Sequence, residues 1–182
     1  MRNTKTRKIA IAGVLLAICI VSQFFKNLSV YITGPIINTC IIVAALSCGP
    51  LYGLLLSIVT PITAFFITGN PLMSAIPLII PCIMIGNSLL SAISAVAYKY
   101  IKNKYVAVFV GGIVGSLVKA LFMAGTISYG LIPSFLPEAM LPKMPVFQAT
   151  FSVTQFVAGC IGVAYALILW PVVKRNMSDV EV

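Results

Sequence analysis

The chain has 182 residues, 60% of them hydrophobic and 8% charged, with a mean hydropathy of +1.11. A soluble domain carries roughly 25% charged residues, so this chain cannot cover a water-facing surface and has to use lipid as its solvent. There is no histidine, and the three acidic residues are Glu138, Asp179 and Glu181. That leaves no carboxylate pair for acid–base work and no histidine to activate a nucleophile, so no enzyme is expected. A Gly-rich phosphate loop ending in Lys-Ser or Lys-Thr is also missing, so ATP hydrolysis is not this chain's own. Cys19, Cys40, Cys48, Cys82 and Cys160 are scattered through apolar runs without a CxxC pair. They read as small buried hydrophobes, with neither metal binding nor a disulfide framework implied.

The first apolar run covers about residues 9–25, behind Arg2, Lys5, Arg7 and Lys8. The start imitates a signal peptide, but no small-x-small cleavage site leads into a polar domain, so the run is expected to stay in the protein. Residues 36–98 carry no charge at all, 63 positions in a row. At ~20 residues per span this is enough for three. Turn signals at Cys48-Gly49-Pro50 and Thr68-Gly69-Asn70-Pro71 divide it into runs at 36–48, 51–68 and 71–98. Lys99, Lys102 and Lys104 follow, then a fifth run at 106–131, a Pro-rich stretch at 132–145, and a sixth run at 146–173 closed by Lys174 and Arg175.

The expectation is an all-α integral membrane protein, a single six-helix bundle over residues 1–182 with both termini cytoplasmic. Charge placement supports that count. Nine basic residues (Arg2, Lys5, Arg7, Lys8, Lys99, Lys102, Lys104, Lys174 and Arg175) fall on the inner side, against Lys26 and Lys143 outside. The net charge of +9 is thus mostly an orientation signal, and no nucleic-acid partner is expected. The polar tail after Asn176 should fray.

Five features could carry function. Ala10, Gly13 and Ala17 put small side chains on one face of the first helix, which suits either packing within the bundle or docking to another membrane protein. Lys119 sits 13 residues from Val106 and 12 from Leu131, roughly 18–20 Å from either end of its span. A charge at that depth costs at least ~2.5–3.5 kcal/mol. No span holds an acid to pair with it. Lys119 is therefore deprotonated, bonded to freed backbone carbonyls, or partnered by a bound anion such as a substrate carboxylate. Asn87 and Gln155 are expected near the same level, about 24 Å and about 14 Å into their spans. Tyr129, Gln148, Ser152 and Thr154 lie on the outer halves and could extend a pocket, with Asn38 and Asn70 as weaker candidates. Pro61, Pro77 and Pro81 interrupt the third and fourth spans and could shape a cavity. The stretch from Ile132 to Pro145 is too apolar for a plain linker and suits a lid or an interfacial loop.

A short basic N-terminus, a small-residue first helix, Gly-Pro punctuation at Gly34-Pro35 and Gly49-Pro50, and six spans in this length together resemble the substrate-binding S components of energy-coupling factor (ECF) vitamin transporters. The sharpest local match is Gly13-Val-Leu-Leu-Ala17, similar to the family's Ala-xxx-Ala docking motif with glycine for the first alanine. The resemblance implies a substrate-capture subunit in the bacterial cell membrane for a vitamin or related micronutrient. It also implies docking through Ala10, Gly13 and Ala17 to a coupling transmembrane subunit with two cytoplasmic ATPases, release by toppling in the membrane, and no cofactor. Lys119 favours a substrate with a carboxylate or other anionic group; pantothenate, nicotinate, biotin and lipoate all qualify. A self-sufficient facilitator or ion-coupled carrier is the alternative.

Overall fold

The computed structural model describes residues 4–25 and 30–178. Lys26 and the end of the polar tail, beyond Ser178, lie outside the described residues. The described chain is helical, without a strand. Helix α1 covers Thr4–Gln23, α2 Val30–Ser47 and α3 Pro50–Thr68. A short helix α4, Pro71–Ala75, precedes α5 at Ile79–Tyr100. Helix α6, Lys104–Met123, runs on through a π-helical segment at Ala124–Leu131 into α7, Ile132–Phe135. A 3₁₀ turn at Glu138–Lys143 leads to α8, Met144–Thr150, and then to the long α9, Val153–Ser178. Among the described residues six helical stretches are long and apolar enough to cross a membrane, as expected from hydropathy.

The punctuation read from the sequence sets the ends. Gly49 has φ 118° and Pro50 opens α3, while Gly69 closes it in the left-handed region with its N–H on the Phe65 carbonyl. The Asn70 side chain then caps α4 by accepting from the Leu72 N–H at 2.9 Å. At the other end of the bundle, Asn103 caps α6 by accepting from the N–H groups of Tyr105 and Val106. Lys104 Nζ donates to the carbonyls of Tyr98, 2.7 Å, and Ile101, 3.2 Å, and so closes α5 with a cation. This basic end also stacks Tyr98 and Tyr105 edge-on against Trp170.

Helix α2 is the centre of the bundle and packs on α1, α3, α5 and α9. Within it 67% of the residues are buried, against 28% for the span of α1, which makes α1 peripheral. One apolar cluster joins Cys19, Cys40 to Ala44, Leu90, Val163 and Trp170. A second gathers Leu72, Met73, Ile79, Met123, Ile127, Ile132 and Phe151 at the opposite end from the basic residues.

Four features differ from the sequence expectation. The second span starts by Val30, with Pro35 inside the helix. One turn on, Thr39 Oγ1 is placed to donate to the carbonyls of Pro35, 2.8 Å, and of Gly162 on α9, 2.9 Å. The fourth span starts at Ile79 and not Pro71, because Pro77 breaks the chain after α4, whereas Pro81 falls in the first turn of α5, where a missing N–H costs nothing. Pro61 lies inside α3 without interrupting it. The stretch from Ile132 to Pro145 consists mostly of short helical turns, with Pro133 and Pro145 at helix starts and Pro142 in the 3₁₀ turn.

Candidate functional site: a buried polar cavity

Away from the basic end, between the spans, lies a cavity of about 270 Å³ to which all six spanning stretches contribute. Its apolar walls include Met73, Ile83, Met123, Phe147 and Phe151. Its polar groups are Gln23 from α1, Thr33 and Asn38 from α2, Thr60 from α3, Asn70 from the turn before α4, Asn87 from α5, Lys119 from α6, Thr150 from α8 and Gln155 from α9. A few fixed polar groups set in apolar walls is the usual form of a small-molecule site.

Lys119 is 4% exposed, and its Nζ donates to Asn38 Oδ1 at 2.7 Å. Two glycines seat this pair. A Cβ on Gly86 of α5 would stand 3.1 Å from the Met123 side chain and 3.4 Å from Lys119 Cγ, so α6 can press its lysine stem against α5. A Cβ on Gly162 of α9 would stand 2.9 Å from Asn38 Cβ, so α9 can back the asparagine closely. The only acid among the described residues is Glu138, exposed on the 3₁₀ turn, so no carboxylate faces the lysine there. No metal-binding group of His, Cys, Asp and Glu exists among the described residues either.

Three more buried polar atoms bear on the cavity. Gln23, 1% exposed, donates through Nε2 to the Thr60 carbonyl at 3.0 Å, which leaves Oε1 without a partner among the described residues. Asn38 Nδ2 and Asn87 Oδ1 are likewise unpartnered, with their residues 1% and 3% exposed. These are three of eight buried side-chain polar atoms without a partner among the described residues, the other five being on Ser47, Ser91, Ser94, Ser116 and Trp170 outside the cavity lining.

The sequence candidates divide. Lys119, Asn87, Gln155, Asn38 and Asn70 all line the cavity. Asn87 lies about 12 Å along α5, shallower than expected, because α5 starts at Ile79. Asn38 is equally eight residues in from Val30, the first residue of α2, so the two amides sit at matching levels. Gln155 donates to the Thr150 carbonyl at 3.2 Å across the break between α8 and α9. Tyr129 does not line the cavity and is 71% exposed. Gln148 and Ser152 also stand outside it, engaged in structure. Gln148 Nε2 donates to the Ser128 carbonyl, 3.0 Å, Ser128 Oγ donates to the Gln148 carbonyl, 2.8 Å, and Ser152 Oγ donates to the same Gln148 carbonyl, 2.7 Å. Thr154 borders a separate shallow groove with Tyr31 and Pro145.

Gln23, Thr33, Thr60 and Thr150 line the cavity and are not among the sequence candidates. For Gln23 a signal existed: Ala12, Leu15, Cys19 and Gln23 follow one another at helical spacing, and all four are buried. Ala10, Gly13 and Ala17 share the opposite, exposed side of α1, and a Cβ added at Gly13 meets nothing within 4 Å.

A membrane-spanning bundle that sets one lysine and several side-chain amides in a cavity with apolar walls has the build of a small-molecule binding subunit. The family model described as ECF transporter, substrate-specific component matches residues 7–176, and the chain belongs to that family. It is therefore a multi-pass membrane subunit that confers substrate specificity on an ECF transporter and works with a coupling and ATPase module; such subunits are not enzymes. No curated protein and no solved structure gives a significant match to the chain.

Proposed function

We propose that the cavity captures a small vitamin-like molecule carrying a carboxylate or another anionic group, with Lys119 Nζ as its charge partner and Asn38 as the lysine's positioning residue. The observation that carries this reading is a lysine side chain in a cavity with apolar walls whose bonded partner is a neutral amide. An anion there replaces water with a charge-assisted bond. Asn87 and Gln155 add hydrogen bonds from α5 and α9, while Tyr129, Gln148 and Ser152 act on the substrate only through the shape of the rim.

The exposed face of Ala10, Gly13 and Ala17 is the docking surface for the coupling transmembrane subunit, with ATP hydrolysis on two cytoplasmic partners. Support for this comes from the outward position of residues whose small size the bundle itself does not use. The charge bias places both termini on the cytoplasmic side of a bacterial cell membrane, with the cavity opening to the outside.

The test is calorimetric titration of the detergent-purified protein with pantothenate, biotin, lipoate and nicotinate, and with the neutral analogue of each (pantothenol and the three amides). At least one acid should bind, and its neutral analogue should bind tenfold or more weakly. Lys119→Met should lower the acid's affinity by about 10- to 100-fold, the range of a charge-assisted bond. Equal binding of acid and neutral analogue, or an unaffected Lys119→Met variant, overturns the anion reading.

A further inference from the structure

The two amides flanking the cavity are locked in opposite senses, and this selects for the other end of the bound molecule. A backbone carbonyl can only accept, so Gln23, a residue that lines the cavity, must turn its NH₂ to the Thr60 carbonyl, which leaves Oε1 as a buried, unpartnered acceptor. A lysine ammonium can only donate, so Asn38 must turn Oδ1 to Lys119, and its Nδ2 is left as a donor. Neither amide can flip without losing its bond. Beside the cation, therefore, the protein offers further donors, and from α1 it offers a fixed acceptor. Asn87 Oδ1 on α5 is a second unpartnered acceptor.

We infer that the cavity selects a bifunctional acid, with its anionic end on Lys119 Nζ and Asn38 Nδ2 and an N–H or O–H donor elsewhere in the molecule on Gln23 Oε1. This rests on the anion reading of the same cavity and adds a specificity-determining residue, Gln23, with a rule for the substrate's second end. The apolar body between the two ends packs on Phe147, Phe151 and Met123. The cavity measures about 270 Å³, so the molecule is small. A site built around a hydrogen bond rejects an analogue that lacks the matching group, because the buried partner is then left unpaired.

Biotin and lipoate form a matched probe pair: both carry a pentanoate chain on a sulfur-containing ring, but only biotin has ureido N–H donors. Pantothenate, with hydroxyl and amide donors, and nicotinate, with none beyond its acid, form a looser pair. The tighter of biotin and pantothenate should bind at least tenfold more tightly than the tighter of lipoate and nicotinate. Gln23→Met should shrink that preference to within about threefold. If Gln23→Met does not yield folded protein, Asn87→Leu provides a second arm from α5 and should shrink the same preference.

Equal binding of donor and donor-free acids, or a preference that survives Gln23→Met and Asn87→Leu, overturns the rule for the second end. Dependence on Lys119 would then leave the anion reading standing. If instead the neutral analogues bind as tightly as the acids while Gln23→Met still weakens them, the anionic half falls and Gln23 keeps its role. Silence from all four acids overturns both.

Discussion

Small residues on α1 and on α9 have the same chemistry and opposite uses. On α9 they let helices meet: a Cβ added to Gly159 would stand 2.5 Å from Ser116 Cβ on α6, and one added to Gly162 would stand 2.9 Å from Asn38 Cβ on α2. On α1, Gly13 has nothing within 4 Å of an added Cβ, and Ala10 and Ala17 are exposed beside it. Helix association in lipid depends on close backbone approach at small residues. On α9 that capacity is consumed inside the bundle. On α1 it faces outward, available to another membrane protein. A small-xxx-small pattern in a spanning helix therefore states that close approach is possible, and only the packing shows with whom.

Substitutions that fill each kind of space should separate the two uses. The largest effect is expected from Gly159→Val. It forces a branched side chain against Ser116 and should destabilise the isolated subunit by about 1–3 kcal/mol, read as a lowered thermal unfolding midpoint in detergent. Gly13→Leu should leave that midpoint unchanged, with a stability effect within about 0.5 kcal/mol. Its loss should appear in co-purification with the coupling subunit, where a tenfold drop in assembly corresponds to about 1.4 kcal/mol. A normal complex with Gly13→Leu would put the docking surface elsewhere. The smallest effect is expected from Thr39→Val, which keeps the shape and removes the hydroxyl between the Pro35 and Gly162 carbonyls. A loss of about 0.5–1.5 kcal/mol in the same unfolding assay would confirm that α9 is held to α2 by that bond as well as by close packing.

The central position of Lys119 along its span was legible. The depth of Asn87 was not, because Pro77 delays the start of α5 to Ile79, and neither were the directions of side chains. Hydropathy fixed the six spans, and residue counting placed Lys119 and Asn87 deep in theirs; both line the cavity. A rise of 1.5 Å per residue gives depth, but an inward direction has to come from an amphipathic pattern. Helices apolar on every side give little of that signal. Tyr129, Gln148 and Ser152 were thus assigned to the pocket by level, yet they point to the exterior or to backbone partners. Gln23 was passed over because an amide at the end of an apolar run reads as a boundary residue. Its bond to Thr60 joins helices 37 residues apart in sequence, a contact no local pattern encodes.

The π-helical segment at Ala124–Leu131 sets a phase offset along the fifth span. Its wider i→i+5 turns decide which residues beyond Met123 face inward, while Lys119 lies before it and keeps its direction regardless. Excising one residue there, such as Gly125, whose added Cβ meets nothing, would rewind the segment toward an α-helix. The residues beyond would keep close to their present facing, because the lost residue, about 100° of an α-helix, is offset by the tighter winding. The wide turns thus act as slack, a place where the fifth span can change length without re-aiming Lys119 and Met123 on the cavity side or the short helices on the other.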